Sequence, residues 1–210
     1  QRDLWNDRET LRRLLDEMLK VTPDRDLKLQ RLKRLIVDKA ERPFNSGNRK
    51  ALIFSAFADT AEYLYRELAP ALADVGLDTA LVTGGAHAAK TTLGTGHDVQ
   101  QVLTLFSPKS KQRHLTMPTS TGELDVLIGT DVISEGQNLQ DCDYLVNYDI
   151  HWNPVRIIQR FGRVDRLGSP NTSIQLVNFW PNMELEEYIG LEQRVSGRMV
   201  LLDVSATGEE

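Results

Sequence analysis

The sequence predicts an α/β fold, a mostly parallel sheet flanked by helices, on three observations. From Lys50 onward short apolar runs recur, "ALIFSAF", "TALVTGG", "LDVLIGT", "DYLVNYDI" and "SIQLVNFW". The segments between them are long enough for helices, the alternation of a parallel sheet covered on both faces. The chain has 210 residues, 40% of them hydrophobic, enough to bury a core in one compact domain with an extension.

Two amphipathic helices come first. Leu11, Leu14, Leu15 and Met18 form one apolar stripe, and Leu29, Leu32, Leu35 and Ile36 form another after the "TPDRD" break. Residues 1–45 therefore read as a helical extension, belonging either to the following domain or to a linker leading into it. Residues 46–182 form the α/β domain. Its first unit is "ALIFSAF" followed by "ADTAEYLYREL", where Ala61, Leu64, Tyr65 and Leu68 share one helical face. Pro70 should kink or end that helix, because proline lacks the amide hydrogen a helix interior needs. Residues 107–122, "SPKSKQRHLTMPTSTG", are rich in Ser, Thr, Pro and positive charge and read as a solvated loop outside the sheet. Residues 183–210 keep helical periodicity over much of their length and either pack on the domain or lead to another. No internal repeat is present.

Composition excludes several classes. No apolar run approaches the roughly 20 residues that cross a bilayer, and no charged-then-apolar signal opens the chain, so a cytoplasmic protein without membrane contact is expected. Cys142 is the only cysteine, which rules out an internal disulfide; it reads as a small half-buried residue. The net charge of −5 argues against a protein that coats DNA unspecifically, while leaving room for a local basic cleft. The opening Gln1 suggests a chain cut from a longer protein.

Chemistry is expected at the carboxyl ends of the strands, where loops and helix N-termini meet ligands in open α/β sheets. "VLIG" runs into "TDVISEGQNLQ", placing Thr130 and Asp131 at a strand end and Gly136 where backbone could approach a ligand. The next strand ends at "HWNPVRIIQRFGRVDR", with Asn153 as a helix cap and Pro154 at the first helical position. Along that helix Gln159, Arg163 and Arg166 share a face and Ile157, Phe161 and Val164 another. A solvated charged face would explain such a row. So would a device for phosphoryl transfer, because a guanidinium is always charged and forks onto phosphate oxygens.

Together, "GTDVISEGQNLQ" and "YLVNYDIHWNPVRIIQRFGRVDRLG" resemble motifs V and VI of the superfamily 2 helicases. The "WNP" before the last helix is similar to the Swi/Snf-type branch, with the nearest likeness to the bacterial RapA/HepA type. "KALIFSAF" resembles motif IV, and "LVTGG" the strand and glycine pair that follow it. The resemblance spans roughly Lys50 to Trp180 and implies the second of two RecA-like lobes that clamp ATP and nucleic acid between them. It assigns Arg163 and Arg166 to the ATP phosphates, with Arg166 as the finger, and sets Gln159 at the leading glutamine of motif VI. Gly136 and Asn138 match positions near the nucleotide. Thr130 matches a contact to the nucleic-acid backbone, and Ser55 and Gly85 lie at the other strand ends that track a strand. ATP and Mg2+ would be held mainly by a first lobe outside this chain, and double-stranded DNA is the expected nucleic acid. Glu135 stands where many relatives carry arginine or an apolar residue, and Ser169 where the Swi/Snf branch often has glutamine.

Other features are read as bland. "GGAHAAKTT" lacks the glycine before lysine that a phosphate loop needs, since Ala89 precedes Lys90, so a self-contained P-loop kinase is a poor third reading. His87, His97, His114 and His151 are scattered, Trp152 reads as a packing anchor, and "PKSKQR" is either a nucleic-acid contact or a solvated loop. The sequence thus points to the C-terminal lobe of a nucleic-acid-dependent ATPase, inactive by itself, with a non-catalytic helicase-like scaffold as the rival.

Overall fold

A computed structural model of the chain describes residues 2–84, 88–133, 136–150, 154–166 and 168–180. Six strands, β1 (Ala51–Phe54), β2 (Thr79–Val82), β3 (Ala89–Thr91), β4 (Val126–Gly129), β5 (Tyr144–Asn147) and β6 (Gln175–Asn178), form one sheet in the order β3-β2-β4-β1-β5-β6. All neighbours are parallel except β2 and β3. The predicted α/β class and mostly parallel sheet are therefore present, and every apolar run quoted above contains a strand.

The four central strands are buried along their whole length, so alternate side chains serve opposite layers. On one face Ile53, Leu81, Ile128 and Val146 meet helices α2 (Leu27–Glu41) and α3 (Ala58–Ala73). On the other, Leu52, Phe54, Val82, Leu127 and Leu145 meet α4 (Val99–Phe106). Each fully buried Leu, Ile or Phe contributes about 1.5–3 kcal/mol relative to exposure. A short helix, α5 (Arg113–Thr116), follows, and α6 (Pro154–Phe161) links β5 to β6.

The two N-terminal helices behave differently. In α2, Leu29, Leu32 and Ile36 are buried, and polar contacts hold both ends. Asp26 caps the start by accepting from the Leu29 amide at 3.0 Å, and its other oxygen accepts from Tyr63 of α3, also at 3.0 Å. Burial and Asp26 push the Tyr63 hydroxyl up to about 12. Near the other end, buried Lys39 pairs with buried Asp143 at 2.8 Å and donates to the Asn48 carbonyl at 2.6 Å. Helix α1 (Arg2–Met18) leaves its apolar stripe in solvent. No described helix is long and apolar enough to cross a membrane.

Three local expectations need correction. Helix α3 runs on past Pro70 to Ala73, because Ala69 and Leu72 are buried and the lost bond falls in the last turn before Gly76 (φ 71°). Residues 107–122 include α5, although they stay outside the sheet as expected. Strand β3 was not anticipated, since Ala-Lys-Thr carries no apolar signature; it pairs antiparallel on an edge, with Leu81 opposite Lys90.

Candidate nucleotide and nucleic-acid site

Strand β4 ends in a tightly packed turn. A Cβ on Gly129 would stand 2.6 Å from Ile133 Cδ1 and 3.0 Å from the Val82 carbonyl, so only glycine lets the two close together. The Thr130 amide donates to Val82 O at 3.2 Å, and a 3₁₀ turn follows at Asp131–Ile133. Beyond it Gly136 adopts φ 67°, with nothing within 4 Å of where a side chain would begin. Asn138 accepts from the Gln140 amide at 3.3 Å, and the Leu139 amide donates to the Arg163 carbonyl at 3.0 Å, joining this loop to the arginine segment. Lys111, from the basic stretch, turns inward to Gln137, and burial lowers its ammonium from the usual lysine range.

Helix α6 begins at Pro154 as expected but ends at Phe161, so Arg163 and Arg166 lie in the turns beyond it rather than on the helix. Gly162 is a weak helix former, and the Arg163 and Val164 amides reach back only three residues, to Arg160 and Phe161. Gln159 and Arg166 are exposed and Arg163 is half-buried. Arg166 donates from Nε to the Gly162 carbonyl at 3.2 Å, which curls its stem over the turn and leaves its outer nitrogens at the surface.

The arginine between them points the other way. Arg160 is fully buried, with Ile157 and Val164 on the same face. Its Nε donates to Asp131 Oδ1 at 2.7 Å, and its Nη1 donates to Asn147 Oδ1 at 2.9 Å and to the Asp149 carbonyl at 3.4 Å. The guanidinium lies 5.0 Å from the centre of the Phe54 ring, while Nη2 has no hydrogen-bond partner. One side chain thus ties α6 to the ends of β1 and β5 and to the turn after β4.

Ser55, just past β1, is also fully buried. Its hydroxyl donates to Asp149 Oδ2 at 2.6 Å and accepts from the Phe57 amide at 3.2 Å, which sets the entry to α3. Lys28 bonds the other Asp149 oxygen at 3.2 Å and sits 3.9 Å from the Tyr148 ring centre. Burial raises the Tyr148 hydroxyl well above its ordinary range.

Thr130 and Ser55 stand at the carboxyl ends of β4 and β1, Gly136 and Asn138 lie in the loop from β4 to β5 and Gln159 on α6, whereas Arg166 shares a surface hollow with Ser173 and Ile174, just before β6 begins. Gly85 and Glu135 lie outside the described residues, as do His151, Trp152 and Asn153. Sequence reasoning missed Arg160, Asp131, Asn147 and Asp149 as one network. A signal existed: Ile157, Arg160 and Val164 fall at helical spacing, which puts the arginine on the buried face. Cys142 is fully buried rather than half-buried. A cavity of about 860 Å³ lies near Lys50, Asp125 and Asp141, where β1, β4 and β5 begin.

Residues 27–168 match the helicase conserved C-terminal domain, and the chain belongs to that family. Among curated relatives it is 43% identical over 68 residues to an uncharacterized ATP-dependent helicase, YqhH, of Bacillus subtilis, covering 32% of this chain and 12% of that one. It is 33% identical over 115 residues to the ATP-dependent RNA helicase RhlB of Shewanella denitrificans, covering 52% of this chain and 26% of that one. The chain thus spans about a quarter or less of these relatives' length. Among solved structures, the C-terminal part of the Fun30 ATPase domain superposes with a TM-score of 0.51 at 20% identity, over 78% of this chain and 44% of that one. That likeness concerns the fold.

Proposed function

We propose that this chain is the second RecA-like lobe of a nucleic-acid-dependent ATPase of the Swi/Snf-type branch, near the RapA/HepA type, acting on double-stranded DNA. The observation that carries this reading is the split among the arginines. Arg160 is buried as an anchor, whereas Arg166 and part of Arg163 remain at the surface in the turns just past α6. A row that was merely solvated would not need a buried arginine to hold its base.

The residues fit a triphosphate approaching from outside. Arg166 keeps its outer nitrogens at the surface, and Gly136 leaves open space for a phosphate or ribose. ATP with Mg2+, held mainly by a first lobe, supplies the phosphoryl group. This chain's part is to bring Arg166, with Arg163, against the negative charge that builds on the phosphates when the lobes close. Gln159 and Asn138 would orient the nucleotide. Thr130 would contact the nucleic-acid backbone, as would the segment containing Gly85. Ser55, whose hydroxyl is taken by Asp149, would act through the turn it holds rather than by direct contact. Such backbone contacts carry little sequence information and weaken with salt.

The test is ATP hydrolysis by the full-length protein, with and without duplex DNA, beside the Arg166→Ala variant and this chain alone. Turnover stimulated by DNA, and lowered about 10³-fold or more by Arg166→Ala with nucleic-acid binding kept, is expected of a finger. Unchanged turnover sinks the assignment. A second reading, RNA as the substrate, is favoured by the RNA helicase relatives, and stimulation by RNA but not DNA would select it. A full-length protein inactive with every nucleic acid tried would favour the scaffold alternative.

A further inference from the structure

We infer that Asp149 is a positioning residue for the surface arginines, tying their placement to helix α2 and to the end of β1; the inference rests on the role proposed above for Arg163 and Arg166. Asp149 stands just past β5 and is half-buried. It binds three other elements at once. Its Oδ1 accepts from Lys28 Nζ, in the first turn of α2, at 3.2 Å, and its Oδ2 accepts from the Ser55 hydroxyl, just past β1, at 2.6 Å. Its backbone carbonyl accepts from Arg160 Nη1, on α6, at 3.4 Å. Lys28 and Ser55 lie 121 and 94 residues away in the chain, so the carboxylate spends both oxygens on distant segments rather than on its own loop.

Each arm is itself held. The Lys28 ammonium sits 3.9 Å from the centre of the Tyr148 ring and 5.7 Å from that of Phe179, whose rings lie 5.5 Å apart. Ser55 is fully buried and accepts from the Phe57 amide, which opens α3. Arg160 is fully buried, and the turns that bear the surface arginines spring from its neighbourhood. The Arg163 amide donates to the Arg160 carbonyl at 3.1 Å, and Arg166 Nε donates to the Gly162 carbonyl at 3.2 Å. A shift in the first turn of α2 therefore moves Asp149, then Arg160, then the arginine turns. A displacement of about 1 Å at a catalytic group costs up to about 10²-fold in rate.

The test is ATP hydrolysis by the full-length protein at saturating nucleic acid, with kcat separated from the KM for ATP and the thermal midpoint measured for each variant. Asp149→Asn keeps the volume but offers one acceptor oxygen in place of two, so kcat should fall about tenfold while the KM for ATP and the Kd for nucleic acid stay within about twofold. Lys28→Met should lower kcat in the same sense by about threefold, as befits a part-exposed pair, and Lys28→Arg, which keeps the charge, should not. Tyr63→Phe loosens the start of α2 by removing the bond to Asp26 without touching Asp149, and should leave kcat unchanged. Should Asp149→Asn fail to fold, the two Lys28 variants decide alone. Unaltered kcat in Asp149→Asn and Lys28→Met, beside an inactive Arg166→Ala, overturns the inference and spares the finger. So does a Tyr63→Phe protein that loses as much kcat for the same loss in thermal midpoint, because the effect is then stability alone. An unaltered protein that hydrolyses no ATP with any nucleic acid refutes the functional reading, and this inference with it.

Discussion

Removing the carboxylate of Asp131 should damage this lobe more than removing the arginine it holds. In Asp131→Ala the Arg160 guanidinium stays fully buried and loses its closest acceptor, 2.7 Å away. Two weaker acceptors remain, Asn147 Oδ1 at 2.9 Å and the Asp149 carbonyl at 3.4 Å, neither of them charged. Stripping one partner from a buried pair costs about 3–5 kcal/mol. The Asp131 side chain is 27% exposed and two acceptors survive, which scales the expected loss to about 2–3 kcal/mol. For a chain of this size that lowers the midpoint of thermal unfolding by about 5–10 °C. Arg160→Met keeps the length of the side chain and its seat on Phe54, and also removes the unpartnered Nη2. Asp131, part exposed, keeps access to water, while the buried Asn147 Oδ1 loses its donor, so the expected loss is about 1–2 kcal/mol, smaller than for Asp131→Ala. The double variant Asp131→Ala, Arg160→Met should be more stable than Asp131→Ala alone. Urea and thermal unfolding of the four proteins measure this directly. If Asp131→Ala is no worse than Arg160→Met, or the double variant is the least stable, the network does not anchor α6 as described.

Two further perturbations probe the same frame. Gly129→Ala would press a methyl against Ile133 Cδ1 and the Val82 carbonyl, costing about 1–3 kcal/mol; adding Ile133→Val deletes the nearest atom and should recover part of the loss in a thermal melt. A neutral Gly129→Ala would mean the turn after β4 is looser than the geometry implies. Burial pushes the Cys142 thiol up to about 12, so the folded protein keeps it protonated across neutral and mildly alkaline pH. Alkylation should stay slow from about pH 7 to pH 10 and become fast only on unfolding, whereas an ordinary thiol would already react at about pH 8.5. Rapid labelling of the native chain at pH 8 would contradict the burial.

Parts of this molecule are legible from residue order because they rest on local rules. Apolar runs such as "VLIG" can only be buried, so β1, β2, β4, β5 and β6 declare themselves. Pro154 starts α6 because its missing amide costs nothing at a first helical position. Strand β3 is invisible by the same logic, since three residues of mixed character become a strand only when the β2 edge offers its free backbone groups.

The arginine run shows where sequence stops. Arg160, Arg163 and Arg166 are the same residue type within seven positions, and a charge is expected in water by default. Only the tertiary structure sends Arg160 inward, because Asp131, Asn147 and Asp149, distant in the chain, converge where α6 crosses the strand ends. Likewise α1 and α2 both carry an apolar stripe. The sequence alone determined that each is an amphipathic helix, as it determined the sheet. The structure decided that α2 belongs to the core, since Asp26 and Lys39 find Tyr63 and Asp143 there, and left α1 facing solvent. Helical period is a property of neighbours in sequence, whereas burial depends on which surface another segment brings to meet it.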